Sequence, residues 1–274
     1  MIESLEKSLD KKDNKSNKKN KDHKKKGSKG GIIIVILAAA IAGITALAAC
    51  VYQRKIQLAD RMAENYTIRG VDVSYYQGEI EWPVLADGIS FVYMKATEGS
   101  GHKDIRFEEN LEGACETNLA VGAYHFFSFE SSGKTQAENY IEVVGRWDGM
   151  LAPAVDVEYY NGSYDITDVE SIKDELQLLL DELEAYYGCK PVIYTTMSAY
   201  RTLIQGGFTE YPLWIRNVYY QPIVLGQKWV FWQYNDKGII DGYSGEEKYI
   251  DLDVFSGNTA DLENYRIYFE NIEE

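Results

Sequence analysis

The chain has 274 residues, 45% apolar and 26% charged, with a formal net charge of −15. That length can bury a full core, so one sizeable domain plus a tail is expected. The charge is split: residues 1–31 hold 11 Lys and 5 acidic residues, a net of +6, leaving −21 on the rest, which argues against a C-terminal domain built to neutralise nucleic-acid phosphates. Cys50, Cys115, Cys189 and three scattered His show neither a metal-ligand spacing nor a disulfide framework, so no metal and no cofactor is expected. A Cys115–Cys189 pair stays open.

In chain order, residues 1–31 form a Lys/Asn/Asp/Ser tract without the apolar residues needed to offset chain entropy, expected as a disordered tail. Residues 32–52 read IIIVILAAAIAGITALAACVY, 21 residues without a charge. At 1.5 Å per helical residue such a run crosses a bilayer core of about 30 Å, and it has no polar face of the kind a surface helix carries. The lysines ahead of it place the N-terminus in the cytoplasm and everything after Tyr52 outside. Leu47-Ala48-Ala49-Cys50 also resembles a bacterial lipobox, which would make Cys50 a lipidated N-terminus; the 31-residue leader is long for a signal peptide and favours an uncleaved signal anchor. Both give the same topology. Residues 53–68 look like a short helical stalk.

From Arg69 the pattern changes to strands alternating with helical stretches, and 69–274 is expected as one domain. Strands fit near Gly70–Ser74, Phe91–Ala96, Val121–Phe127, Leu151–Glu158, Pro191–Thr195, Leu213–Asn217, Val230–Tyr234 and Ile250–Phe255. Helices fit Phe107–Thr117, Thr135–Arg146, Asp168–Tyr187 and Ala199–Ile204, the third opened by a capping box of Thr167 and Glu170. Eight strands with helices between the early ones predict an α/β fold, an irregular TIM-like β/α barrel with few helices on its C-terminal side, preceded by one transmembrane helix.

The most informative segment is Ala154-Val155-Asp156-Val157-Glu158, two carboxylates two apart in an apolar strand. Strand side chains alternate faces, so both emerge on one side with Cα atoms roughly 6.6 Å apart, the scale on which two carboxyls flank a glycosidic bond. Crowding raises one pKa, leaving an acid to donate a proton and a carboxylate to stabilise positive charge. A strand end whose acids cap the next loop is the competing explanation. Asp72, Asp251 and Asp253 sit on two further strands, and in a barrel the C-terminal strand ends gather at one mouth. So many carboxylates around one cleft are hard to justify as packing.

Asp72-Val73-Ser74-Tyr75-Tyr76-Gln77-Gly78, Lys95-Ala96-Thr97-Glu98-Gly99, Gly122-Ala123-Tyr124-His125-Phe126-Phe127, Asp156-Val157-Glu158, Leu213-Trp214-Ile215, Trp232-Gln233-Tyr234 and Asp251-Leu252-Asp253-Val254-Phe255 together resemble a glycoside hydrolase family 25 lysozyme over about residues 69–257. The resemblance implies an irregular β/α barrel that cleaves the β-1,4 bond after N-acetylmuramic acid in peptidoglycan. It implies Glu158 as general acid, Asp156 as the carboxylate that assists the N-acetyl group or stabilises positive charge, and Asp72 and Asp251 as further catalytic aspartates. Where the family pattern has Asp-x-Asn, this chain has Asp253, expected among the substrate-binding residues and exchanging a donor and acceptor for a group that only accepts when ionised.

Other motif positions carry two explanations each. Tyr124 and His125 face opposite ways, and the resemblance favours Tyr124 at the mouth with His125 satisfied inside the fold. Lys95 either neutralises the acids or binds a sugar carbonyl, or else snorkels at the rim. Trp232 and Tyr234 share a face that floors a sugar subsite or packs in the core, and Glu98 is expected as a solvated loop acid. The implied partners are peptidoglycan glycan strands and, through residues 32–52, the bacterial cell membrane, with no nucleic acid. A wall-binding module without turnover and a glycosidase acting on chitin-like polymers are the alternatives.

Overall fold

The computed structural model describes residues 31–54, 57–159 and 168–269. The basic tail through residue 30 and the capping-box residue Thr167 lie outside them. Helix α1 (Gly31–Tyr52) is apolar throughout and long enough to cross a membrane, with a mean hydropathy of 2.8 over its best window. It belongs to a first unit, residues 1–56; the second unit runs from Gln57 to Glu274.

The second unit opens with α2 (Leu58–Ala63) and then alternates strands with helices: β1 (Ile68–Val73), α3 (Trp82–Leu85), β2 (Phe91–Glu98), β3 (His102–Lys103), α4 (Phe107–Cys115), β4 (Ala120–Phe126) and α5 (Gly133–Val144). After β5 (Met150–Leu151) and β6 (Ala154–Val157) come α6 (Val169–Tyr187), β7 (Val192–Thr196) and α7 (Met197–Ala199), which runs on as a π-helical stretch to Ile204. The last part is strand-rich, with β8 (Leu213–Arg216), β9 (Trp229–Gly238), β10 (Ile250–Phe255), α8 (Thr259–Glu263) and β11 (Arg266–Ile267). Asp168 caps α6 by accepting from the Ser171 N–H at 3.0 Å.

Eight strands close a barrel in the order β1-β10-β9-β8-β7-β6-β4-β2 and back to β1, with β3 hooked onto the end of β2. The expected run Leu151–Glu158 is divided at Pro153, which has no N–H for a ladder: β5 pairs with β11, and only β6 enters the barrel. All barrel pairs are parallel except those of β10, which runs against both β1 and β9. That reversal carries the start of β10, not its end, to the mouth.

Alternation then sorts the apolar residues into layers. Val71, Val92, Met94, Val155 and Ile193 face outward onto the helices, with Leu176, Leu179 and Leu183 of α6 among their partners. Phe91, Tyr93, Trp214, Phe231 and Phe255 face inward and plug the barrel below the mouth. A third cluster joins Ala59 and Ala63 of α2 to Trp232, Tyr234 and Val254, so the helical segment within the expected stalk is packed on the barrel wall.

Helices α5 and α6 meet at Gly133, whose N–H donates to Glu175 Oε2 at 2.7 Å. A Cβ there would sit 1.8 Å from the Glu175 carbonyl oxygen and 2.8 Å from the Leu179 nitrogen, both backbone atoms that cannot swing away. Gly133→Ala is expected to cost about 2–3 kcal/mol and lower Tm by roughly 5–10 °C, read by a thermal melt of the full chain in detergent. An unchanged Tm would contradict the contact.

Candidate active site

The barrel register brings the inward-facing polar residues together pair by pair. Asp72 on β1 lies opposite Asp251 on β10, Lys95 opposite Tyr124, and Phe126 opposite Asp156. Asp156 lies opposite Tyr194, Tyr194 opposite Trp214, and Arg216 opposite Gln233. Around them opens a cleft of about 770 Å³, within the range of small-molecule sites, and Asp72, Asp156, Glu158, Asp251, Tyr124 and Lys95 all line it.

Asp156 is held at the end of β6, where Phe127 N–H donates to its carbonyl at 2.9 Å and Thr195 Oγ1 donates to the carbonyl of Val157 at 2.8 Å. Its side chain is buried, and Oδ1 receives no hydrogen bond from any described residue. Glu158, one step past the strand, is more open to the cleft. Burial pushes Glu158 above the usual carboxylate range, opposed by the positive charges of Arg216 and Lys95. Asp156 is pushed further, by burial first and then by Glu158 and Asp72. Burial also raises Asp72, helped by Asp253, and Asp251, helped by Asp72. The cleft therefore keeps protons at pH values where isolated carboxyls have lost them.

The cations are each tied to an acid. Lys95 Nζ lies 2.6 Å from Glu98 Oε2 and 4.9 Å from the centre of the Phe126 ring. Glu98, expected as a loop acid, is instead the last residue of β2, and the register shift between Lys95 and Thr97 brings it to the face of Lys95. Arg216 Nη2 lies 2.5 Å from Asp236 Oδ2. Below the acids, Tyr194 OH donates to Gln233 Oε1 at 3.0 Å and Gln233 Nε2 donates to Asp72 Oδ2 at 2.7 Å.

Three residues expected to touch substrate do not line the cleft. Trp232 is fully buried against α2 and donates its Nε1–H to the Asn217 carbonyl at 2.9 Å, while Tyr234 packs beside it and hydrogen-bonds Arg69. Their shared face is real, but it is the outer face, because Gln233 between them points inward. Asp253 is fully buried beneath the cleft because β10 descends from the mouth. Tyr194, Trp214, Arg216 and Gln233 were not singled out as site residues, although Trp214 and Arg216 share the inner face by the same two-residue period that hides Trp232. Cys115 and Cys189 are both free thiols. Among the described residues no cluster of three His, Cys, Asp or Glu is arranged to hold a metal ion.

His125 points away from the cleft into the wall, fully buried between Thr97 and Gln136. Gln136 Oε1 accepts from Ser128 N–H as well as from the ring, so Nε2 carries the hydrogen and Nδ1 accepts from the Thr97 hydroxyl at 2.7 Å. Burial pushes His125 down to about 4 from 6.5. The unfolded chain binds this proton at higher pH than the fold does, so the stability owed to neutral His125 is present above 6.5 and lost as pH falls toward 4. The buried acids act with the opposite sign, weakening the fold as pH rises. Comparing denaturant midpoints of wild type and His125→Gln isolates the histidine: the wild-type advantage should shrink between pH 6.5 and 4, and a constant difference would contradict the assignment.

Residues 71–243 match the profile of the family described as "Glycosyl hydrolases family 25". The chain is 33% identical over 221 residues to the uncharacterised protein YegX of Escherichia coli K12, covering 78% of this chain and 79% of that one. It is 33% identical over 215 residues to Lysozyme M1 of Streptomyces globisporus, covering 73% and 71% respectively. In three dimensions it is similar to a family 25 glycosyl hydrolase from Bacillus anthracis, with a TM-score of 0.70, 43% identity and coverage of 74% of this chain and 94% of that one.

Proposed function

The chain belongs to glycosyl hydrolases family 25, and on that premise we propose that it is a membrane-anchored N-acetylmuramidase that cleaves the β-1,4 bond between N-acetylmuramic acid and N-acetylglucosamine. Glu158, held protonated by burial, donates its proton to the leaving glycosidic oxygen. Asp156, which burial raises further than Glu158, accepts a hydrogen bond from the 2-acetamido N–H through its unpartnered Oδ1, and the positive charge that develops at the sugar draws it into the carboxylate form. Asp72, Asp251, Tyr124 and Lys95 hold the sugar around that pair. The observation that carries this reading is Asp156 Oδ1, a buried acceptor with no donor among the described residues, on the cleft beside the raised carboxyl of Glu158.

Helix α1 anchors the enzyme, with the basic tail in the cytoplasm and the barrel on the wall side, where glycan strands are the substrate. The apolar length of α1 and the lysines before it support that orientation. Digestion of purified peptidoglycan by the full chain in detergent tests the activity: new reducing ends should accumulate from peptidoglycan and not from chitin. Release from chitin alone would move the enzyme to another specificity.

A further inference from the structure

Asp253 is fully buried, and its two oxygens differ sharply in their surroundings. Oδ1 accepts from Trp214 Nε1 at 2.7 Å, whereas Oδ2 has no N–H or O–H donor among the described residues. The neighbour of this carboxyl is the carboxyl of Asp72, with which it is in hydrogen-bonding contact. Gln233 cannot fill the gap. Its Oε1 is taken by Tyr194 OH and its Nε2 donates to Asp72 Oδ2, which fixes the amide's orientation. Two ionised carboxylates in contact, shut away from water, repel each other and leave Oδ2 orphaned; one proton between them removes both penalties.

Among the described residues no cation takes its place. Asp253 is faced by Asp72 from β1, Asp251 from its own strand, Gln233 from β9 and Trp214 from β8, with Tyr234 of β9 nearby on the other face of the wall; beyond Asp72 lie Asp156 and Glu158 from β6 and Tyr124 from β4. Arg69 is engaged with Tyr234 on the outer face, and Arg216 acts on Asp251 and Glu158 nearer the mouth.

We propose that Asp72 and Asp253 share a single proton, and that Asp253 is thereby a positioning residue that ties the cleft carboxyl of Asp72 to the barrel interior. Burial lifts Asp253 to about 8 and Asp72 further, with the contact itself favouring the proton on Asp72, so a proton shared by the pair is kept at neutral pH. The pair titrates as a unit. Above that range both groups ionise, Asp72 is pushed from its place, and catalysis declines. This last consequence rests on the muramidase reading; the shared proton does not.

Infrared difference spectroscopy of the full chain at neutral pH reads the proton directly through the C=O stretch of protonated carboxyls, which shifts in D2O. Asp253→Asn offers Asp72 an N–H that does not titrate, and Asp72→Asn does the same for Asp253, so each variant should lose one protonated-carboxyl band relative to wild type. In the peptidoglycan assay Asp253→Asn should keep kcat within about twofold of wild type, because its N–H takes the place of the shared proton, while Asp253→Val should lower kcat about tenfold. A band pattern unchanged in Asp253→Asn overturns the proposal, as does a kcat for Asp253→Val equal to that of Asp253→Asn. If wild type releases no reducing ends, the muramidase reading falls while the infrared result still decides the shared proton.

Discussion

Substituting Glu158 by Gln should lower kcat for peptidoglycan cleavage by about 10³-fold while sedimentation with purified wall is retained. The amide keeps the size and hydrogen-bonding reach of the protonated acid but has no proton to give, so the loss falls on the step in which the glycosidic oxygen leaves. Burial works toward the acid form and Arg216 and Lys95 work against it, which leaves Glu158 raised only moderately beside more strongly raised neighbours. A proton donor poised near the working pH needs that balance. The same variant separates turnover from tethering: a wall-binding module would sediment equally well in both forms and release reducing ends in neither. Retention of more than about a tenth of wild-type kcat would remove Glu158 from the role of acid.

Asp156→Asn should cost about 10²–10³-fold in kcat with a smaller change in KM. The carboxylate has a lone acceptor oxygen in a buried place, and Asn offers either a weaker, neutral acceptor or an N–H that opposes the acetamido N–H. Rate measurements on soluble muropeptide oligomers, with kcat and KM separated, check the effect, and an unchanged kcat would contradict the role of Asp156.

The barrel was legible because its strands are short apolar runs set between turn residues, and all eight expected runs are present. Strand direction was not: nothing in Ile250–Phe255 marks it as the one strand that runs against its neighbours, yet this brings Asp251 to the mouth and sinks Asp253 below it. Period-two alternation correctly grouped Trp232 with Tyr234 but could not tell the inner face from the outer. The deciding contacts come from Ala59 and Ala63, some 170 residues earlier, whose small side chains let α2 close over the two rings. Gln233 and Tyr194 were hidden for a related reason, since their importance lies in hydrogen bonds to each other and to Asp72 across distant strands. By contrast, the acids announced themselves, because charge inside an apolar strand carries an energetic penalty that packing alone does not explain.

Mass spectrometry of the fragments that the full chain frees from purified peptidoglycan tests the central claim most directly. Muramic acid at every new reducing end is the predicted result. Fragments ending in N-acetylglucosamine would show that another bond is cut and would contradict the assignment of Glu158 and Asp156 to the muramyl linkage.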